Sequence, residues 1–141
     1  MNEKLTVADY PLAEKRPELV KGRRGKPLDA ITLDAVTAHE VTLDDLRVTP
    51  DALRRQAEIS RNAGRPTLAS NFERAAELCD VPQDLIMQIY ELLRPGRAKD
   101  KAPLLEAART LRETYGATRM AAFVEEAAAV YERRGLFTYR F

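Results

Sequence analysis

From residue 49 onward, apolar side chains recur at three- and four-residue steps, the period of a helix with one covered face. Leu53, Gln56, Ala57 and Ser60 form the first stripe. Thr49-Pro50 opens it, a hydroxyl cap followed by proline at the first helical position, and Gly64 closes it. Leu68, Phe72, Ala75, Ala76 and Cys79 make the second stripe, where Ala69, Ala75 and Ala76 are small enough for close helix packing. Val81-Pro82 restarts the chain, and Leu85, Ile86, Ile89, Tyr90 and Leu93 follow until Pro95-Gly96 stops the pattern. Pro103 opens a helix bearing Leu104, Leu105, Ala108, Leu111 and Tyr115, ended by Gly116. The last helix, from Ala117 to Arg134, presents Met120, Phe123, Val124, Ala127, Val130 and Tyr131, with Gly135 as its cap.

Before residue 31 the pattern is lost. Pro11, Pro17 and Pro27 each bias the preceding residue away from helix, so residues 1–30 read as a long non-helical arm. Tyr10-Pro11-Leu12 is an apolar cluster in this polar arm and is expected to dock on something. Lys21-Gly22-Arg23-Arg24-Gly25-Lys26 reads as a solvated basic turn; no strand–loop–helix context makes it a phosphate site. Thr32 caps a short helix through Val36. The end of the chain places Phe137, Tyr139 and Phe141 within five residues, and such a tail is expected to dock on this chain or another. No run alternates like a strand, and no repeat is present. The expected fold is all-α, with about five short-to-medium helices packed irregularly or as a bundle. One domain spans 1–141, divided into an arm (1–30), a helical body (31–135) and an aromatic tail (136–141).

Charge and chemistry narrow the function. Lys and Arg number 23 against 22 Asp and Glu, a net charge of +1, which gives no support for nucleic-acid binding. Arg65 and Arg74 on the helix after Gly64 share their turns with Glu73 and Glu77, which would repel phosphate. The single Cys79 follows an apolar stripe and reads as a small buried hydrophobe in a reducing compartment. No apolar run approaches the roughly 20 residues of a membrane helix, and no leader opens the chain, so a cytoplasmic protein is expected. His39, the only histidine, stands in a polar segment without a Ser, Cys or second His spaced to cooperate with it. Asp44 and Asp45 are adjacent, so on a helix they point about 100° apart and read as first-turn acids favoured by the dipole. One His and one Cys do not build a zinc site. The residues describe a helical domain that binds protein and does not catalyse. A free-standing adaptor for another protein's helix or strand, and a small enzyme using His39, are the competing readings.

Several phrases carry a resemblance along nearly the whole chain. They are Tyr10-Pro11-Leu12-Ala13 with Lys15, Pro17 and Glu18, then Leu28-Asp29, Ile31-Thr32-Leu33 and Val36. Asp45-Leu46-Arg47, Thr49-Pro50, Leu53, Gln56-Ala57 and Gly64-Arg65 follow. The sharpest are Asn71-Phe72-Glu73-Arg74-Ala75-Ala76-Glu77-Leu78 and Arg94-Pro95 with Arg97, flanked by Val81-Pro82 and Ile89-Tyr90. Ala122-Phe123-Val124, Glu126-Ala127-Ala128 and Tyr131 complete the set. The chain resembles the small (gamma) subunit of adenosylcobalamin-dependent diol and glycerol dehydratases.

That resemblance implies a heterohexamer of large, medium and small subunits, two of each. The enzyme would convert 1,2-propanediol to propionaldehyde, or glycerol to 3-hydroxypropionaldehyde, by a radical shift with loss of water. The resemblance places adenosylcobalamin on the other subunits and no catalytic, cofactor or metal residue here. Tyr10, Pro11 and Leu12 in the arm, and Arg94, Pro95 and Arg97 at a helix end, are the expected contacts with the large subunit. The chain begins close to its Tyr10-Pro11-Leu12-Ala13 phrase, without the long extension of relatives enclosed in bacterial microcompartments. This leans toward a freely cytoplasmic enzyme or a glycerol dehydratase.

Overall fold

Proline sets most of the helix starts. A computed structural model describes residues 4–138, and five helices of eleven or more residues run through them. Three short ones come first: α1 (Leu12–Lys15), α2 (Leu33–Thr37) and α3 (Leu43–Leu46). The long ones are α4 (Pro50–Asn62), α5 (Pro66–Leu78), α6 (Gln83–Leu93), α7 (Ala102–Tyr115) and α8 (Thr118–Arg133). Pro50, Pro66 and Pro103 sit in the first turns of α4, α5 and α7, where a missing N–H costs nothing. Thr49 Oγ1 accepts from the Ala52 N–H at 3.1 Å and Thr32 Oγ1 from the Ala35 N–H at 3.1 Å, the two hydroxyl caps expected. The fold is all-α. The described residues contain no strand, only an isolated antiparallel bridge between Lys21 and Pro27.

The non-helical arm needs correction. It folds into 3-10 turns at Val7–Asp9, Pro17–Leu19 and Leu28–Ala30, together with α1. The prolines that discourage helix before them also pre-set the turn after them, and here they start turns. Thr6 and Asp9 close the first with a reciprocal capping box.

The described residues form two compact units that divide between Cys79 and Asp80. In the first, α4 packs on α5 across the tight turn at Gly64, which has φ +73°, a conformation glycine adopts without a Cβ penalty. Ala57 and Ser60 of α4, and Ala69 and Ala76 of α5, are buried, and their small size lets the helices approach closely. The arm covers a neighbouring face of α4: Leu5, Leu12 and Ile59 form a buried cluster, with Leu19 and Val20 half-buried against it. The Leu5 N–H donates to Glu58 Oε2 at 3.2 Å, and the Val7 N–H to Asn62 Oδ1 at 3.0 Å.

In the second unit α7 packs mainly on α8, and α6 also meets α7. Leu104, Ala107, Ala108 and Leu111 of α7 are buried, as are Ala121, Val124 and Ala128 of α8. Arg112 and Glu125 join the pair in a two-pronged ion pair at 2.5 and 2.9 Å. Past the end of α8, Phe137 meets the Tyr131 ring edge-on at 6.1 Å, so this part of the aromatic tail docks on its own helix. Tyr139 to Phe141 lie outside the described residues.

Burial at Leu104 and Leu105 differs sharply although they are neighbours, because only Leu104 faces the core. Leu104→Ala is expected to lower the stability of its unit by about 2–5 kcal/mol, and Leu105→Ala by under about 1 kcal/mol. The shift in urea midpoint at constant m-value measures both.

Candidate functional site

The expected contact residues lie in two places, one in each unit. In the first, Tyr10 is 57% exposed at the start of α1, and the Tyr10–Pro11 peptide is cis. Leu12 turns inward instead, buried against Leu5 and Ile59. Hydrogen bonds fix this turn: Glu14 and Lys15 donate their N–H groups to the Pro11 carbonyl at 3.0 and 2.9 Å. Arg16 bridges Asp9 at 3.1 Å and Glu18 at 2.6 Å. Backbone and Arg16 hydrogen bonds hold the Asp9 carboxyl below its ordinary value. Tyr10 also borders a hollow of about 240 Å³ lined by Val7, Ile59, Ala63, Leu68 and Phe72. The arm thus presents an aromatic ring on a rigidly seated turn.

In the second unit, Arg94, Pro95 and Arg97 follow α6. Arg94 Nη1 meets Glu91 Oε1 at 3.1 Å, and Arg97 Nε lies 3.7 Å from Glu91 Oε2. Tyr131 donates its hydroxyl to the Leu93 carbonyl at 2.5 Å, so α8 fixes where α6 ends. Beside this end Asp84, Met87, Gln88, Glu91, Leu92 and Arg97 line a broad open hollow of about 840 Å³. Periodicity put Tyr90 in the packed stripe, but it is 56% exposed, like its neighbour Met87. Exposed aromatic, thioether and guanidinium groups on a fixed helix end are the materials of a protein interface.

The other candidate chemistry is dispersed. His39 lies exposed in a left-handed conformation, φ 59°, just after α2. Cys79 is half-buried at the end of α5, where its Sγ–H donates to the Ala75 carbonyl at 3.6 Å. Among the described residues, no three His, Cys, Asp or Glu side chains gather so as to hold a metal ion. No helix among them is long and apolar enough to cross a membrane.

One polar centre escaped the sequence reading. Asp45 of α3 is 4% exposed, and its carboxylate takes the Arg24 guanidinium on both oxygens, Nε–H to Oδ1 at 2.8 Å and Nη2–H to Oδ2. The Thr42 N–H also donates to Asp45 Oδ2, at 2.9 Å. Arg24 and Lys26 both reach the Glu40 carbonyl, Arg24 at 3.0 Å. The basic loop is therefore engaged rather than merely solvated. Gly22 completes the latch: a Cβ there would stand 2.6 Å from the Asp45 carbonyl oxygen, a backbone atom that cannot swing aside. A glycine and an arginine two positions apart, opposite a capping-box aspartate, were the available signal.

A protein-family model described as dehydratase small subunit matches residues 5–138. The chain is similar to the propanediol dehydratase small subunit of Citrobacter freundii, 53% identical over 128 residues, which is 91% of this chain and 74% of the relative. It is 52% identical to that of Salmonella typhimurium (strain LT2) over 128 residues, 91% of this chain and 73% of the relative.

The Arg24 guanidinium first, and then the Thr42 N–H, hold the Asp45 carboxyl well below the usual carboxylate range. A pKa depressed by folding contributes stability that is fully present above the unfolded value and is lost as pH falls through the folded one. Amide protection at Thr42 and Gly22 is therefore expected to hold from neutral pH to about 4 and to fall on further acidification. Asp45→Asn should abolish that acid-dependent loss by weakening the latch at every pH. Hydrogen exchange followed residue by residue reads both outcomes.

Proposed function

This chain belongs to the dehydratase small-subunit family, and on that footing we propose that it is the non-catalytic small subunit of an adenosylcobalamin-dependent propanediol or glycerol dehydratase. The observation that carries the reading is the identity of more than half along 91% of the chain to propanediol dehydratase small subunits. The match over residues 5–138 supports one small-subunit domain across 1–141. The enzyme is a hydro-lyase, turning 1,2-propanediol into propionaldehyde or glycerol into 3-hydroxypropionaldehyde. Large, medium and small subunits, two of each, make up the heterohexamer. It works in the cytoplasm, free or enclosed in a bacterial microcompartment.

Adenosylcobalamin supplies the radical chemistry when bound by the other subunits. His39, the chain's one imidazole, stands on an exposed turn. On this reading the other subunits hold that cofactor, and no step of the reaction runs through this chain.

This chain's task is to hold the large subunit in shape. Tyr10 and Pro11, seated by buried Leu12, form one contact, and Arg94, Pro95 and Arg97 form another. Anything that binds only the assembled state stabilises it by mass action. A braced large subunit keeps water from reactive intermediates more effectively than a loose one.

Co-expression of the three subunits, with and without this chain, tests the proposal. Omission is expected to leave little assembled enzyme and little cobalamin-dependent aldehyde formation. Large and medium chains that alone form a stable, fully active enzyme would overturn it. The double variant Tyr10→Ala, Arg94→Ala is expected to bind the large subunit at least about tenfold more weakly while keeping its helical circular dichroism.

A further inference from the structure

Half of the large apolar side chains that stand exposed among the described residues fall between residues 28 and 48. They are Leu28, Leu33, Val36, Leu43, Leu46 and Val48. Leu33 and Val36 are three apart on α2, and Leu43 and Leu46 are three apart on α3, so each pair shares a helix face. Leu33 is 79% exposed and Leu43 is 68% exposed. Helix α3 is inside out: its one buried residue is Asp45, while both of its leucines face away from the core. A short helix that buries its carboxylate and displays its leucines has an outward face shaped for something other than water.

Charge says what that something carries. Residues 28–48 hold five carboxylates, on Asp29, Asp34, Glu40, Asp44 and Asp45, against one arginine, Arg47, in a chain of net charge +1. Asp45 is used internally by Arg24, and Asp44 lies 3.6 Å from Arg47. Asp29, Asp34 and Glu40 are exposed among the displayed leucines. A second copy of this face would bring like charges together, which costs affinity. A groove edged by lysine and arginine would be matched in both its apolar floor and its rim.

We propose that residues 28–48 form a second docking surface, which seats on an apolar groove of the large subunit edged by lysine and arginine. This rests on the small-subunit reading above. The Arg24–Asp45 latch holds α3 against its own unit and so presents Leu43 and Leu46 ready-made, without ordering cost at binding.

Hydrogen exchange on the assembled three-subunit enzyme tests it directly. Amides of residues 33–48 are expected to gain protection when the large subunit is present, relative to the chain alone. The triple variant Leu33→Ser, Leu43→Ser, Leu46→Ser replaces only exposed side chains. It is expected to keep its thermal transition and to bind the large subunit at least about tenfold more weakly. Asp34→Asn with Glu40→Gln is expected to flatten the salt dependence of that binding. Protection that appears on concentrating the chain alone, or only with the medium subunit, overturns the proposal. If the unaltered chain binds the large subunit and the triple variant binds it equally well, this inference falls and the small-subunit reading stands. If the unaltered chain does not bind at all, both fall together.

Discussion

A buried carboxylate does for residues 21–48 what apolar packing does elsewhere in the chain. Between α1 and α4 the chain has only two short helices, and their leucines point outward. Val41 and Asp45 are its buried residues. Asp45 is an unusual choice for that position, since an isolated charge is costly to remove from water. The cost is met by three donors: two from the Arg24 guanidinium and one from the Thr42 backbone. Gly22 lets the loop strand come close enough for this geometry. The latch therefore orders a segment whose hydrophobic side chains are left available.

The two helix pairs solve a different problem. Their buried faces are rich in alanine, so the helices of each pair gain contact by close approach. Ala57, Ala69 and Ala76 allow this in the first unit, and Ala107, Ala108, Ala121 and Ala128 in the second. The ion pair between Arg112 and Glu125, half-exposed on both sides, is screened by solvent and contributes little to stability. What the cores leave over is a surface with many large apolar groups, the surplus that the proposed docking would use.

Helix starts were legible because proline and threonine act locally. Thr49-Pro50 and Thr32 do the same thing in the folded chain that their chemistry suggests in isolation. Burial was less legible. A period of three to four gives the direction of a stripe but not its width, so Tyr90, Leu105 and Phe123 were placed inside although they stand exposed at its edge. Ala121 and Ala128 hold the buried positions of α8 because the near approach of α7 selects small side chains there. Ile59 was missed because its covering partner, the arm, was read as a long non-helical segment with no assigned place to dock. Asp45 was read as a helix-dipole acid, which it also is; its pairing with Arg24 spans 21 residues, and no local rule reports such a distance. Among the expected contacts, Tyr10 and Pro95 are exposed while Leu12 is core, since an apolar cluster in a polar arm supplies both an anchor and a display.

These observations fit one division of labour. A subunit has to stay folded before assembly and bind firmly after it. If its apolar contact residues formed its own core, binding would require unfolding, and the ordering cost would reduce affinity. Fixing the display by hydrogen bonds and charge separates the two requirements. The Tyr131 hydroxyl fixes the end of α6 through the Leu93 carbonyl, and Asp45 fixes α3 through Arg24. In both cases a polar contact positions a helix whose exposed apolar side chains, Met87 and Tyr90 on α6 and Leu43 and Leu46 on α3, are not needed to hold it there. A surface built this way is ordered in the chain alone, which is the property the proposed bracing role requires.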